Sequence, residues 1–177
     1  MRRLTIGTIA FGLVAAMAFS APPVAASAKR FTCTITGTSH SDTLRGTPGQ
    51  DVICGKGGHD AIYGGGGADI LTGDGGGDLI FGGPGPDVLL GANGNDNLWG
   101  GHGQDALVGG FGRDIAVGQG EHDIIAGGVG DDICLSGIDG KGGDQIRGGP
   151  GDDRGDSDVG DSVTSVEDLV PFLCYGG

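Results

Sequence analysis

Aspartate returns at every ninth position through most of the chain: Asp42, Asp51, Asp60, Asp69, Asp78, Asp87, Asp96, Asp105, Asp114, Asp123 and Asp132. The series slips by three residues and resumes at Asp144 and Asp153. Evenly spaced carboxylates can ligate a hard divalent cation. Calcium accepts roughly six to eight oxygens at about 2.3–2.6 Å, from carboxylates and main-chain carbonyls alike, whereas magnesium demands stricter geometry and keeps its waters. The pattern therefore predicts calcium, several ions per chain. Paired carboxylates also serve glycoside hydrolysis, but here the repeat accounts for every pair.

Each aspartate ends a glycine-rich hexapeptide and precedes a short apolar triplet, as in GGPGPD-VLL (82–90), GGHGQD-ALV (100–108) and GGFGRD-IAV (109–117). The unit reads G-G-x-G-x-D-x-U-x. The apolar place U holds Leu44, Ile53, Ile62, Leu71, Ile80, Leu89, Leu98, Leu107, Ala116, Ile125, Cys134 and Ile146. Three residues are too few to repay helix nucleation. They suffice for a short strand whose middle side chain points inward and whose neighbours point outward. The glycines supply φ > 0 and close backbone approach, so the hexapeptide is a turn. Strand and turn, repeated, form a parallel β-solenoid.

If one unit makes half a coil, a full coil takes 18 residues and the aspartates stack in two columns. One holds Asp42, Asp60, Asp78, Asp96, Asp114 and Asp132; the other holds Asp51, Asp69, Asp87, Asp105 and Asp123. Stacked strands lie about 4.8 Å apart. Two carboxylates at that spacing repel by roughly 3–4 kcal/mol at an effective dielectric near 20. The core offered in return is thin, one aliphatic side chain per unit. A divalent cation between adjacent turns would cancel the repulsion.

These residues resemble the hemolysin-type calcium-binding repeats, the RTX β-roll, over roughly residues 37–156. The family's longer signature, D-x-[LI]-x4-G-x-D-x-[LI]-x-G-G-x3-D, fits Asp69–Asp87 and again Asp96–Asp114. The resemblance implies an all-β, right-handed parallel β-roll of nine-residue repeats, two per coil. It also implies calcium held between the loops of successive coils by aspartate carboxylates and turn carbonyls. Carried over residue by residue, the aspartates of the series, from Asp42 to Asp153, are the candidate ligands. Three units depart from the pattern: GTSHSD (37–42) lacks most glycines, GQGEHD (118–123) has Glu121 at the fourth place, and Gly155 stands where an aliphatic residue belongs. The catalytic or pore-forming domain and C-terminal secretion signal of large family members are not recognisable here.

Outside the repeats, Arg2 and Arg3 precede an apolar stretch, Leu4–Phe19, and the small residues Ala26-Ser27-Ala28. This reads as a cleaved signal peptide over 1–28. Removing its two arginines leaves 8 basic residues (10 − 2) against 23 acidic ones, a net charge of −15. That balance argues against nucleic acid and anionic membrane surfaces as partners. An exported chain with Cys33, Cys54, Cys134 and Cys174 is expected to hold two disulfides, the alternative being reduced, buried thiols. Cys54 and Cys134 stand four to five coils apart, some 20 Å at about 4.8 Å per coil, beyond disulfide reach. The remaining pairing is Cys33–Cys54 with Cys134–Cys174. Residues 29–36 read as an N-terminal cap strand with Ile35 inward, 37–156 as the roll and 157–177 as a C-terminal cap using Val163, Val166, Leu169 and Leu173.

Tyr63, Phe81 and Trp99 are 18 apart and predict an outward ladder that Val117 and Leu135 continue. The ladder either favours strand registration or offers a docking face for a second copy or a glycan or cell-surface partner. His40, His59, His102 and His122 occupy different places in the repeat and form no column. No nucleophile motif or phosphate loop is present. The sequence thus predicts a secreted, non-enzymatic calcium-binding roll. The alternative is an extracellular adhesive or matrix protein in which calcium is purely structural.

Overall fold

The computed structural model describes residues 32–137, 143–156, 162–164 and 168–169. The apolar triplets do become strands. In one sheet lie β1 (Ile35–Thr36), β3 (Val52–Cys54), β5 (Ile70–Gly75), β7 (Val88–Asn93), β9 (Ala106–Phe111), β11 (Ile124–Val129), β13 (Gln145–Arg147) and β15 (Ser162–Thr164). In the other lie β2 (Thr43–Arg45), β4 (Ala61–Tyr63), β6 (Leu79–Pro84), β8 (Asn97–His102), β10 (Ile115–Gln119), β12 (Ile133–Ser136), β14 (Arg154–Asp156) and β16 (Asp168–Leu169). Successive strands alternate between sheets, and every pairing is parallel. The chain is therefore a β-solenoid with two repeats per coil. No helix occurs among the described residues, so none there is long and apolar enough to cross a membrane.

The 18-residue coil sets the register: Ile53 pairs with Leu71, Leu71 with Leu89, and Leu89 with Leu107. These inward side chains join those of the other sheet in one cluster running from Ile53 to Ile146, with Ile35, Leu44 and Val163 packed against it. The outward neighbours within each strand are less buried, as alternation requires. Several strands run to six residues because the ladder continues into the hexapeptide, for example Gly83 opposite Gly101 and Pro84 opposite His102. Such a turn is tighter than the six residues the repeat suggests.

The inward place of β12 departs from the sequence reading. A register shift after Ile115 sets Ala116 opposite Leu135, so Leu135, fully buried, takes the place expected for Cys134. Its neighbours in the file are Ala116 and, on the far side, Gly155. Two small residues leave room that the larger aliphatic side chain fills, consistent with the preference of interiors for close packing. Leu135 therefore leaves the outward ladder, and the backbone of Ser136 pairs with that of the buried Val117. The extra residues between Asp132 and Asp144 do not disturb the rungs, since Ile125 still pairs with Ile146.

Tyr63, Phe81 and Trp99 stack outside the second sheet, with ring centroids 5.2 and 4.8 Å apart and interplanar angles of 8° and 15°. The Arg45 guanidinium lies 4.3 Å over the Tyr63 ring. Ring faces are thus used on one another and on the cation, and the file reinforces the strand register. Cys33 and Cys54 form a disulfide with Cα atoms 5.9 Å apart. The Cys134 side chain, Cys174, the leader over 1–28 and the tail residues Val166 and Leu173 lie outside the described residues.

Replacing the fully buried Leu89 by alanine is expected to cost roughly 2–5 kcal/mol. The same change at Leu90, its outward neighbour, should cost less than about 1.5 kcal/mol, because less apolar area leaves water. Denaturant unfolding of the two variants in calcium checks this, and equal losses would contradict the inward file.

Candidate metal centre

Each aspartate sits where its turn ends and a strand begins. The main chain there already joins coils: the Asp60 carbonyl accepts the Leu79 N–H at 2.8 Å and the Asp69 carbonyl accepts the Val88 N–H at 2.9 Å. The side chain adds a second tie. Asp60 Oδ1 accepts the Asp42 N–H, Asp69 Oδ1 the Asp51 N–H, and Asp78 Oδ1 the Asp60 N–H, all at 2.8 Å. The pattern continues to Asp144 and Asp153, at 2.7 and 3.0 Å. Both predicted columns therefore exist, and Asp144 and Asp153 rejoin them despite the slip in sequence. What the repeat did not reveal is that, from Asp60 onward, half of each carboxylate caps a peptide N–H.

The other half is left over. In Asp60, Asp69, Asp78, Asp87, Asp96, Asp105, Asp114 and Asp132, Oδ2 is buried and has no hydrogen-bond partner. A buried carboxylate oxygen without a donor is costly, so eight of them in register suit a positively charged partner. The first glycine of each turn makes the space. A Cβ on Gly82 would stand 2.5 Å from Asp87 Oδ2 and 2.6 Å from the Gly100 carbonyl oxygen. The donor set is oxygen only, carboxylate plus main-chain carbonyl, which suits a hard cation. No group of three or more His, Cys, Asp or Glu side chains comes together to hold a metal among the described residues. Any ion here must therefore draw on carbonyls as well as aspartates.

Two turns differ. In GTSHSD and GTPGQD the second-place residue is threonine, and Asp42 and Asp51 are satisfied within their own turns. The Thr38 N–H donates to Asp42 Oδ2 at 2.6 Å and its hydroxyl at 2.8 Å. Thr47 repeats both bonds, at the same distances, to Asp51. The sequence signal was present, since threonine fills the second place in these two turns alone. From the third turn on, that place takes positive φ wherever it is described, even without glycine, as at Lys56 (79°), Asp74 (67°), Ala92 (81°) and Gln119 (79°).

Other departures are repaired locally. Elsewhere the fourth-place N–H donates to a carbonyl of the next coil, as Gly85 does to His102 at 2.6 Å. Opposite GQGEHD, the Gly103 N–H donates instead to Glu121 Oε2 at 2.8 Å. The fourth-place glycine is needed because a Cβ on Gly94, at φ 140°, would overlap the Gly76 carbonyl. His59 is exposed, and its Nδ1 accepts the Gly77 N–H at 2.8 Å.

Burial pushes the carboxyls of Asp87 and Asp96 up to about 7, opposed by the N–H bond each accepts and assisted by the neighbouring aspartates of its column. Burial also raises Asp105, Asp114 and Asp132 to about 6. Loss of water is thus a larger cause than the mutual repulsion suggested by spacing alone. Asp42 and Asp51 go the other way. The Thr38 hydroxyl and N–H hold Asp42 below the ordinary value, and the Thr47 N–H and hydroxyl do so for Asp51. A carboxyl whose folded pKa lies above its unfolded value of 3.8 binds its proton more tightly in the fold. Its stabilisation is full below that value and is lost as pH rises through about 6–7. In chelator, the β signal in far-UV circular dichroism is expected to fall between pH 5 and 7.5. A signal that stays flat or rises would contradict the burial of these groups.

The family model described as RTX calcium-binding nonapeptide repeat (4 copies) matches residues 36–71, 46–80, 72–107, 81–116 and 108–139. Comparison with curated proteins returns no match. Repeat period, parallel coil and aspartate columns agree with that match, which spans more than half of the sequence: the chain belongs to the RTX calcium-binding nonapeptide repeat family.

Proposed function

We propose that the chain is a secreted calcium-binding roll whose folding at neutral pH is completed by ions held at its glycine turns. The observation that carries this is the row of buried Oδ2 atoms without protein partners, each beside a first-place glycine. The proposed ligands are Asp60, Asp69, Asp78, Asp87, Asp96, Asp105, Asp114, Asp123, Asp132, Asp144 and Asp153, together with turn carbonyls. Calcium would supply positive charge where the fold has removed water from carboxylates. The aspartates keep the coils in register through Oδ1, and the glycines keep side chains out of the cradle. Each coil presents half of its neighbour's contacts, so binding is expected to be cooperative.

Export is supported by the basic and apolar N-terminal stretch ending in Ala26-Ser27-Ala28 and by the Cys33–Cys54 disulfide, which suits an oxidising compartment. Extracellular calcium modules bind at about 10⁻⁴–10⁻³ M, a range that leaves the chain unstructured before export and folded afterwards. The aromatic file serves register in this reading, since its ring faces are already stacked.

Calcium titration of the refolded chain at neutral pH, followed by far-UV circular dichroism, should show a coil-to-β transition that magnesium does not produce. Equal β content in chelator would count against it. Asp96→Asn retains an acceptor for the Asp78 N–H but removes a charge. It should raise the metal-free β signal and reduce the gain on adding calcium, whereas Asp96→Ala should lower the signal in both conditions. Asn and Ala variants that respond to calcium like the parent would refute Asp96 as a ligand.

A further inference from the structure

The first two turns are built differently from the others, and the difference lies in one residue each. In both, the threonine hydroxyl fills the turn: it donates to the aspartate and accepts the fourth-place N–H, from His40 or Gly49, at 3.2 Å. Turns further along send that N–H to the next coil instead, Gly76 to Asn93 and Gly94 to Phe111, both at 2.8 Å. The aspartate also stands further from the first glycine. A Cβ on Gly37 or Gly46 would lie 3.0 or 2.9 Å from Asp42 or Asp51 Oδ2, against 2.5 Å in the turn of Gly82. Asp51 is satisfied at its other oxygen too, since Oδ1 accepts the Thr34 hydroxyl at 3.2 Å. Cys33, tied to Cys54, stands in the nine-residue frame where a preceding aspartate would be.

The conformational cause is the second place. From the third turn onward, that residue lies in the left-handed region wherever it is described, whether glycine or not. Threonine is β-branched and resists positive φ, and neither Thr38 nor Thr47 adopts it. With the other backbone form, the second-place N–H turns onto Oδ2 of the same unit.

We propose that the second-place residue selects which turns take calcium, and that the turns at 37–42 and 46–51 take none because Thr38 and Thr47 have replaced the ion with hydrogen bonds. The first coil is then a metal-free end cap on a metal-dependent roll. A terminal coil has a neighbour on one side only, so an ion there would find fewer ligands. Threonine closes the turn with donors from its own unit and needs no neighbour. The proposal rests on the calcium reading above.

The test counts bound ions on the full-length mature chain by equilibrium dialysis against calcium at neutral pH. In the parent, Asp42→Asn/Asp51→Asn should leave the number of ions and the calcium midpoint of folding unchanged. Asp87→Asn/Asp96→Asn should lose ions. Thr38→Gly/Thr47→Gly should gain up to two ions per chain, and its folding midpoint should shift to higher calcium because the cap now requires metal. Loss of ions in the Asp42/Asp51 pair equal to that in the Asp87/Asp96 pair would overturn the proposal. Should the glycine variant fail to fold, the two asparagine pairs still decide the matter. Failure of the parent to bind any calcium would defeat the calcium reading itself, and shows before a variant is compared.

Discussion

The structure depends on a carboxylate taken out of water once in every nine residues. One oxygen of that group is spent on a peptide N–H of the preceding coil, so the aspartate is part of the rung-to-rung hydrogen bonding. The second oxygen is the consequence of burying the first. It faces a glycine turn too narrow for a side chain and, in most turns, meets no donor of the protein. Asparagine would meet the first requirement without charge. The charge makes sense only if something positive meets it.

Register in such a solenoid is local. Each rung is fixed by its own aspartate and inward aliphatic residue, so an insertion is tolerated where it leaves the rung paired. Ile125 and Ile146 pair across 21 residues of sequence just as Leu71 and Leu89 pair across 18. Where the inward side chain is small, the strand itself yields: at β12 the shift brings Leu135 between Ala116 and Gly155. A thin core, one residue deep, can accept that change because only the adjacent rungs must respond.

Polar groups are repaired by the same logic. Glu121 interrupts the glycine pattern, yet its carboxylate takes the Gly103 N–H that a backbone carbonyl would otherwise accept. Thr38 and Thr47 satisfy their own aspartates with donors from within the unit. Asn95 accepts the Arg113 N–H at 2.9 Å, and His59 the Gly77 N–H, so side chains at the fifth place also link coils. Buried or half-buried main-chain groups must find partners, and in a fold with no loops to spare the nearest side chain supplies them.

The period by itself determined the solenoid and nearly every inward residue, because a nine-residue spacing admits few ways to alternate strand and turn; two repeats to a coil, and with them both aspartate columns, followed from taking each unit as half a coil, as the family resemblance implies. It also sufficed for Cys33 to be matched with Cys54 and for Tyr63, Phe81 and Trp99 to be stacked. Only the folded chain decided which oxygen of each carboxylate is committed, that burial outweighs repulsion in raising the aspartates, and that Leu135 takes the inward place expected for Cys134. Those outcomes depend on small differences in the contacts between coils and within turns and on the sign of φ at one place in each turn. Residue types set limits on such quantities, and packing against the next coil fixes their values.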